Sequence, residues 1–220
     1  MPRSDVLDQR TLNRIFLERQ LLLKRSTLSV PNAIEHLVGL QAQSPGAPYV
    51  GLWTRLQGFR PEQLSRLIET RKAVRIALMR STIHLVTARD CVALRPVMRV
   101  AVERSLGNYR KQLAGVDRDS LLETARTLFA SRSLTHAELG DELAKRWRQR
   151  DAHALAMAVR CWLPLVQVPP RGVWRASGRA AHTTAERWLG SDIAGDAPPD
   201  DVILRYLRAF GPASVRDMQS

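Results

Sequence analysis

The sequence is poor in cysteine, and the few metal-binding residues it has are scattered. Its 220 residues include two cysteines, Cys91 and Cys161, each isolated within an apolar helical pattern. Neither they nor the five histidines show the paired spacing of a zinc site or a redox dithiol. We therefore expect two buried free thiols, with no metal and no cofactor.

Long apolar segments are also lacking. No run of about 18 apolar residues could span a bilayer. The N-terminal sequence MPRSDVLDQR lacks the apolar centre of a secretory signal. These two absences predict a cytoplasmic protein without a membrane partner.

Positive charge is what the sequence has in excess. Its 34 Lys and Arg residues against 21 Asp and Glu give a net charge of +13 and an isoelectric point near 11.1. Such a surface attracts phosphate polymers, so it favours double-stranded DNA as the partner and a place at the nucleoid. The same charge also fits a merely solvated basic surface or an acidic protein partner. Only four of the basic residues are lysines, and this arginine bias is also typical of GC-rich genomes.

The first half of the chain has helical patterns followed by a hairpin pattern. A first helix is predicted at about 11–24, and a second begins at the cap Ser29 and continues to Gln41. Two more follow at 49–59 and 60–71. Alternating β-branched residues then predict two strands within 73–87, with a turn at 79–81, and a long helix at 88–106.

The second half repeats this order of elements. Amphipathic helical patterns cover three stretches: 119–133, 134–147 and 151–165. The second of them opens with a capping box, Thr135 with Glu138. A hairpin is then predicted, with Val166 on one strand and Val173 and Trp174 on the strand opposite.

Helices followed by a small hairpin are typical of a winged helix. The fold class predicted is therefore mainly α with small β-hairpins, arranged as tandem winged-helix domains. We assign 1–106 to a first winged helix with an N-terminal helix, and 107–190 to a second with a basic hairpin. Residues 191–220 are predicted to be a linker and the start of a third, truncated unit, because its opening helices cannot bury their apolar faces alone.

Three sequence blocks point to a known family: GLQAQSPGAPYVGLWTRL, LMRSTIHLV and YLRAFGPAS. Together they resemble the bacterial winged-helix DNA-binding family that includes DNA glycosylases for bulky alkylated purines and interstrand crosslinks. A hallmark of that family is a Gln-x-Gln motif, which Gln41 and Gln43 match. The resemblance implies three tandem winged helices and a monomer that acts on double-stranded DNA.

Gln41 and Gln43 are the catalytic residues that the resemblance implies. An amide cannot act as a general base, but it can orient water, and an N-alkylated purine is already a cationic leaving group. Residues two apart on a helix point about 200° from each other, so we expect the helix to end between the two glutamines. The alternative is that Gln41 and Gln43 have no catalytic role and only satisfy unpaired carbonyls at a helix C-terminus.

Three residues of the first hairpin are candidate supporting residues: Arg80, Thr82 and His84. Thr82 and His84 share one face of their strand because side chains alternate along it. The resemblance places this hairpin beside the motif, with Arg80 or His84 contacting phosphate or positioning the glutamines. The alternative is that His84 is a half-buried, hydrogen-bonded strand residue.

The second hairpin carries the candidate DNA-binding residues Arg171, Trp174, Arg175 and Arg179. A basic wing can lie along a DNA groove, and an aromatic ring beside it can support an unstacked base or a bulky lesion. The alternative is a solvated turn with Trp174 buried in the local core.

The function predicted is that of a monofunctional, metal-free DNA repair glycosylase for bulky N-alkylated purines, including those in interstrand crosslinks. The alternative is a non-catalytic winged-helix DNA-binding protein, either a regulator or an inactive truncated relative. The helix predicted at 151–165 is rich in alanine and offers few side chains that could read bases, which disfavours a regulator.

Overall fold

The computed structural model describes residues 6–193 and 198–219. Its first part contains α1 (Gln9–Arg19), α2 (Val30–His36), β1 (Leu40–Gln41), α3 (Ala47–Arg55), α4 (Pro61–Glu69), β2 (Ala73–Ala77), β3 (Ile83–Thr87), α5 (Ala88–Val97) and α6 (Arg99–Arg104). The second part contains α7 (Arg118–Ser131), β4 (Leu134–Thr135), α8 (His136–Ala144), α9 (Ala152–Trp162), β5 (Leu165–Gln167), β6 (Ala181–Thr184), α10 (Ala185–Leu189), α11 (Asp200–Phe210) and α12 (Val215–Gln219). The predicted class, mainly α with small β elements, is confirmed. Part of the predicted linker, 194–197, lies outside the described residues.

Several helices begin where the sequence predicts. The Ser29 hydroxyl accepts a hydrogen bond from the backbone of Asn32 and caps α2. The capping box at α8 is also present: the Thr135 hydroxyl accepts from the Glu138 N–H, and the Glu138 carboxylate accepts from the Thr135 N–H at 2.8 Å. Such caps act over three residues, so a local sequence pattern contains all the information they need.

The second helix, however, does not continue to Gln41, and this prediction was wrong. It ends at His36, and the next turn places Val38 (φ 54°) and Gly39 (φ 97°) in left-handed conformations. The Gly39 N–H donates to the Ile34 carbonyl at 2.9 Å, which closes the helix terminus. A Cβ on Gly39 would lie 2.8 Å from Val86, so only glycine fits there. Gln41 therefore lies on a strand.

The first helix and the long helix after the first hairpin also differ from the prediction. The first ends at Arg19, and the side chain of the next residue, Gln20, donates to the Ala209 carbonyl at 2.7 Å. The long helix predicted at 88–106 is divided into α5, α6 and a 3-10 turn at Ser105–Tyr109. α5 ends at Val97, one residue after Pro96, and α6 begins at Arg99.

The second hairpin has a different return strand from the one predicted. β5 pairs with β6, with Val166 opposite Thr183, and not with Val173 and Trp174. The Trp174 N–H instead donates to the Ser65 hydroxyl of α4 at 3.0 Å. Residues 168–180 form a loop that packs against the helices of the first half.

The six strands found within residues 6–193 and 198–219 form one antiparallel sheet with the order β1-β3-β2-β5-β6-β4. The two predicted hairpins are joined in it because β2 pairs with β5, which places Ile76 opposite Val166. The tandem winged-helix organisation and its boundaries stay predictions.

Apolar clusters cover both faces of the sheet. On one face, Ala77 and Leu85 pack with residues of α2, α3 and α4, including Ile34 and Leu64. On the other, Ile76 packs with residues of α5, α10 and α11. A third cluster fills the space between α7, α8 and α9. The strands are therefore buried on both sides except at the edges.

Both cysteines are buried free thiols, as predicted, and burial raises the pKa of Cys91 to about 12. Among residues 6–193 and 198–219, no cluster of three or more His, Cys, Asp or Glu side chains has an arrangement that could hold a metal ion. No helix in these ranges has the length and apolar character needed to cross a membrane.

Candidate functional site

Gln41 ends the edge strand β1 (Leu40–Gln41), and Gln43 lies two residues further on, where the chain bends. Gln41 is opposite His84 of β3, and the Ala42 N–H donates to the Ile83 carbonyl at 2.7 Å. Both glutamines are exposed, while Ala42 between them is buried. The Ala42–Ile83 backbone bond continues the pairing with β3 one residue past β1, and the two exposed glutamines flank it. A strand end and the bend after it bring the two glutamines to the sheet edge, and not a break within a helix.

Gln43 is held by an unusual backbone contact. Its Oε1 accepts a hydrogen bond from the Ile83 N–H at 3.2 Å. In a regular antiparallel pair, that N–H would donate to the Ala42 carbonyl. The Ala42 carbonyl accepts instead from Nη2 of Arg75 at 2.8 Å. The geometry thus contradicts the alternative that the two amides satisfy carbonyls at the end of a helix.

The remaining polar atoms of the pair are available. Across residues 6–193 and 198–219, we find no hydrogen bond to the carboxamide of Gln41 or to the NH₂ group of Gln43. Two exposed carboxamides at one sheet edge can orient a water molecule and offer dipoles to a positive charge, although neither can take a proton at neutral pH.

His84 is a buried strand residue beside this pair, with 5% of its surface exposed. Its Nδ1 lies 3.0 Å from the Thr82 carbonyl, which can only accept, so Nδ1 carries the proton. Burial lowers the pKa of His84, and the Arg80 cation lowers it further against the opposing effect of the Thr82 bond. The ring is therefore neutral at pH 7, with Nε2 as an acceptor.

Arg80 lies in the turn between β2 and β3, with its side chain exposed. Arg80 (φ 52°) and Ser81 (φ 56°) are both in the left-handed region, which costs non-glycine residues about 1 kcal/mol or more each. Arg160 of α9 holds this turn by donating to the Ser81 carbonyl at 2.7 Å. Thr82 ends the turn, and its hydroxyl donates to the Met79 carbonyl. The second half of the chain thus supports the turn that presents Arg80.

The loop 168–180 is docked and does not project freely. The Trp174 ring centroid lies 4.9 Å from that of Tyr49, and Trp174 is 39% exposed. The Tyr49 hydroxyl donates to the Gly172 carbonyl at 2.8 Å. This docking surface belongs to α3 and α4, which cover the face of the sheet opposite to His84.

The three loop arginines differ in how they are engaged. Arg171 donates to the Gly178 carbonyl at 3.2 Å, and Arg179 forms an ion pair with Glu138. That carboxylate has a pKa lowered to about 2, first by the Thr135 backbone N–H and then by Arg179. Arg175 is exposed, and no hydrogen bond to its side chain is found in the described part of the chain.

The predicted site residues therefore fall into two groups. Gln41 and Gln43 lie beside the hairpin that carries Arg80, Thr82 and His84. The second group lies on the loop 168–180, and no hydrogen bond within the described ranges links it to the glutamines.

Sequence reasoning missed Arg75, which is 2% exposed at the centre of β2. Its Nε donates to Oε1 of Gln167 at 3.0 Å. Burial lowers the pKa of Arg75 to about 10, and the nearby Arg171 cation adds to that effect. A signal was present, because β2 reads AVRIA and places this arginine within an apolar alternation.

These features define a class: an arginine-rich, mainly helical protein with one antiparallel sheet and a pair of exposed carboxamides at the edge of that sheet. Residues 34–220 match the model of the family described as DNA glycosylase AlkZ-like. The chain belongs to this DNA glycosylase family.

A solved structure shows the same fold. The chain is similar to Streptomyces sahachiroi DNA glycosylase AlkZ, with a TM-score of 0.72 and 21% sequence identity over 94% of this chain and 59% of that one. This chain thus spans about 59% of the length of that relative. No curated protein matches it.

Proposed function

We propose that this chain is a monofunctional DNA repair glycosylase that hydrolyses the N-glycosidic bond of bulky N-alkylated purines in double-stranded DNA, including purines held in interstrand crosslinks. One observation carries the proposal: Gln41 at the end of the edge strand β1 and Gln43 two residues further on are both exposed beside β3. Membership of the AlkZ-like family supports it. The strongly basic composition favours DNA as the partner.

The proposed reaction requires orientation more than acid or base catalysis. A purine alkylated at N7 or N3 is a cation, and it leaves as a neutral base when the glycosidic electron pair passes to it. Water then adds to the sugar carbon C1′, and its surplus proton passes to solvent. Oε1 of Gln41, and the second lone pair of Gln43 Oε1 beside the one that accepts from the Ile83 N–H, orient this water and stabilise the positive charge on the sugar.

The other residues of the first hairpin fit supporting roles. The exposed cation of Arg80 contacts a DNA phosphate, because phosphate contacts fix the register of a protein on its duplex. His84 and Thr82 form the wall beside the glutamines. The neutral ring of His84 adds no positive charge next to a cationic purine, and its Nε2 can accept a further hydrogen bond.

We infer that the loop 168–180 forms a second DNA contact. Arg175 is free to bind phosphate, whereas Arg179 must first exchange the Glu138 carboxylate for a phosphate. Arg171 stiffens the loop through Gly178. The half-exposed ring of Trp174 can support a displaced base or a bulky adduct.

We also propose that 1–106 and 107–190 are two winged-helix units that share the sheet, and that 191–220 opens a third. The order of helices and hairpins in each half supports this division. A protein of this kind would bind DNA as a monomer.

The test is base release from a duplex that contains a single N7-methylguanine. Abasic product is converted to a strand break by heat and alkali and resolved on a gel. We expect Gln41→Ala and Gln43→Ala each to reduce the single-turnover rate by about 100-fold or more, with little change in DNA affinity. Gln149→Ala is the matched control, because Gln149 is an exposed glutamine outside the site.

Two results would contradict the proposal. Full excision by both single variants would remove the glutamines from the reaction. Tight binding to the duplex without base release by the unmodified chain would favour the alternative, a non-catalytic DNA-binding protein.

A further inference from the structure

Arg75 is a buried cation without a carboxylate partner in the described part of the chain. It lies on β2, with Leu85 opposite it on β3 and Gln167 opposite it on β5. Its guanidinium donates to two neutral oxygens, the Ala42 carbonyl at 2.8 Å and Oε1 of Gln167 at 3.0 Å. A buried charge of this kind is costly, so its position calls for a functional reason.

The contact with Ala42 changes the hydrogen bonding of the edge strand. Ala42 and Ile83 make only one of the two backbone bonds that such a pair normally exchanges, the one from the Ala42 N–H. Arg75 occupies the Ala42 carbonyl, which would otherwise accept the second bond. The Ile83 N–H is therefore left for the Gln43 side chain.

We propose that Arg75 is a positioning residue for Gln43: by occupying the Ala42 carbonyl, it leaves the Ile83 N–H free to orient the Gln43 carboxamide. The catalytic role of this positioning rests on the glycosylase function proposed above. The geometric content of the proposal, a competition between Gln43 and the Ala42 carbonyl for one N–H group, can be tested separately.

The surroundings of Arg75 keep the guanidinium in place. Gly172 of the loop 168–180 lies so close that a Cβ there would be 2.7 Å from Cδ of Arg75. Gln167 anchors the Nε from the second half of the chain. Both halves thus contribute to the orientation of Gln43, although the residue itself lies on the edge of the first half.

Amide hydrogen exchange at Ile83, measured by NMR, tests the competition without reference to activity. In Gln43→Ala, the Ile83 N–H loses its acceptor and should exchange faster than in the unmodified chain. In the double variant Arg75→Met with Gln43→Ala, the Ala42 carbonyl is free to accept, so protection should return. The Leu78 amide, which donates to the Thr82 carbonyl at 3.1 Å, is the reference for general loosening of the hairpin.

If Ile83 exchanges as fast in the double variant as in Gln43→Ala, while Leu78 stays protected, the proposal is overturned. If the Leu78 amide loosens as well, the experiment is repeated with Arg75→Lys. Lysine retains a donor for the Ala42 carbonyl, so fast exchange at Ile83 should persist with Gln43→Ala. Restored protection in that lysine variant would also overturn the proposal.

Single-turnover kinetics then test whether this positioning of Gln43 affects the rate of base release. Arg75→Met should lower the single-turnover rate of base release by up to about 100-fold, with unchanged DNA affinity, because Gln43 loses its orientation. Arg75→Lys should retain more of the rate than Arg75→Met. In a Gln43→Ala background, Arg75→Met should cause no further loss. Arg95→Met is the control for loss of a buried arginine, since Arg95 is 4% exposed and donates to the Cys161 carbonyl.

The exchange and kinetic experiments together distinguish a failure of the positioning role of Arg75 from a failure of the proposed glycosylase function. A rate for Arg75→Met equal to that of Arg95→Met, or an additive loss in the Gln43→Ala background, refutes the positioning role. An inactive unmodified chain that still shows the predicted exchange pattern at Ile83 refutes the glycosylase function and leaves the structural role of Arg75 standing.

Discussion

Replacing Arg205 with methionine should strongly destabilise the attachment of α11 to the first half of the chain. The Arg205 guanidinium forms a bidentate pair with Asp90 of α5, at 2.8 and 2.6 Å. The same group donates to the Glu35 carbonyl at 2.7 Å. The Asp90 side chain is 1% exposed and that of Arg205 is 23% exposed. Methionine retains much of the apolar stem but leaves the Asp90 carboxylate buried without its partner.

Removing one partner of a buried ion pair costs about 3–5 kcal/mol. Because Arg205 retains some solvent contact, we expect the lower end of this range, about 3 kcal/mol. For a chain of this size, that loss corresponds to a decrease in Tm of about 6–12 °C. Adding Asp90→Asn should recover part of the stability, because the unpaired charge is then gone.

Urea unfolding followed by circular dichroism at pH 7 gives the free energy of unfolding for each variant. Arg208→Met is the matched control, since Arg208 lies on the same helix with its side chain exposed. A loss below about 1 kcal/mol for Arg205→Met would show that the pair contributes no more than a surface ion pair. That result would refute the reasoning from burial and bidentate geometry.

Two further predictions concern pH and the docked loop. Burial lowers the pKa of His136 and His182 to about 4 from an ordinary value of 6.5. As the pH falls, the unfolded chain therefore binds protons at these histidines at a higher pH than the folded chain does. The free energy of unfolding should therefore fall as pH decreases from about 6.5 to about 4, and replacing both histidines with asparagine should flatten this dependence; an unchanged slope would contradict it. Tyr49→Phe removes the hydroxyl that donates to the Gly172 carbonyl and should cost about 1 kcal/mol. Trypsin should then cut faster after Arg175, and an unchanged rate of cleavage there would argue against docking by this bond.

Features set by neighbours in sequence could be predicted from the sequence. The caps at Ser29 and Thr135 depend on groups three residues away, and both are present. The hairpin of β2 and β3 is similarly local, since a turn at Met79–Ser81 joins two alternating runs. In each case the hydrogen-bonding partners and the turn lie within one short window.

The end of α2 was missed although a local signal was available. Apolar residues continue at helical spacing past Leu37, and this periodicity favoured a longer helix. Gly39, however, is typical of the residue after a helix C-terminus, where a left-handed conformation is needed. Its hydrogen bond to Ile34 and its close approach to Val86 show why the chain turns there.

Long-range contacts could not be predicted from periodicity. The pairing of β2 with β5 joins residues about ninety positions apart, as in the contact of Arg75 with Gln167. The docking of Trp174 on Ser65 spans 109 positions. Both depend on which surfaces meet after each half has folded, and nothing in the alternation of apolar residues specifies that choice.

The candidate site combines these two kinds of information. Resemblance identified Gln41 and Gln43, but a helix would have pointed them apart. The edge strand and the bend after it leave both glutamines exposed, because only one side of β1 is paired. In a regular edge pair, the Ile83 N–H would donate to the Ala42 carbonyl, and the Gln43 carboxamide would have no hydrogen bond to hold it. Arg75, which is 33 residues from Ala42 in the sequence, donates to the Ala42 carbonyl and so takes the place of the Ile83 N–H there. The orientation of Gln43 therefore follows from a missing backbone bond, and a buried arginine with no carboxylate partner in the described ranges is the residue that accounts for that missing bond.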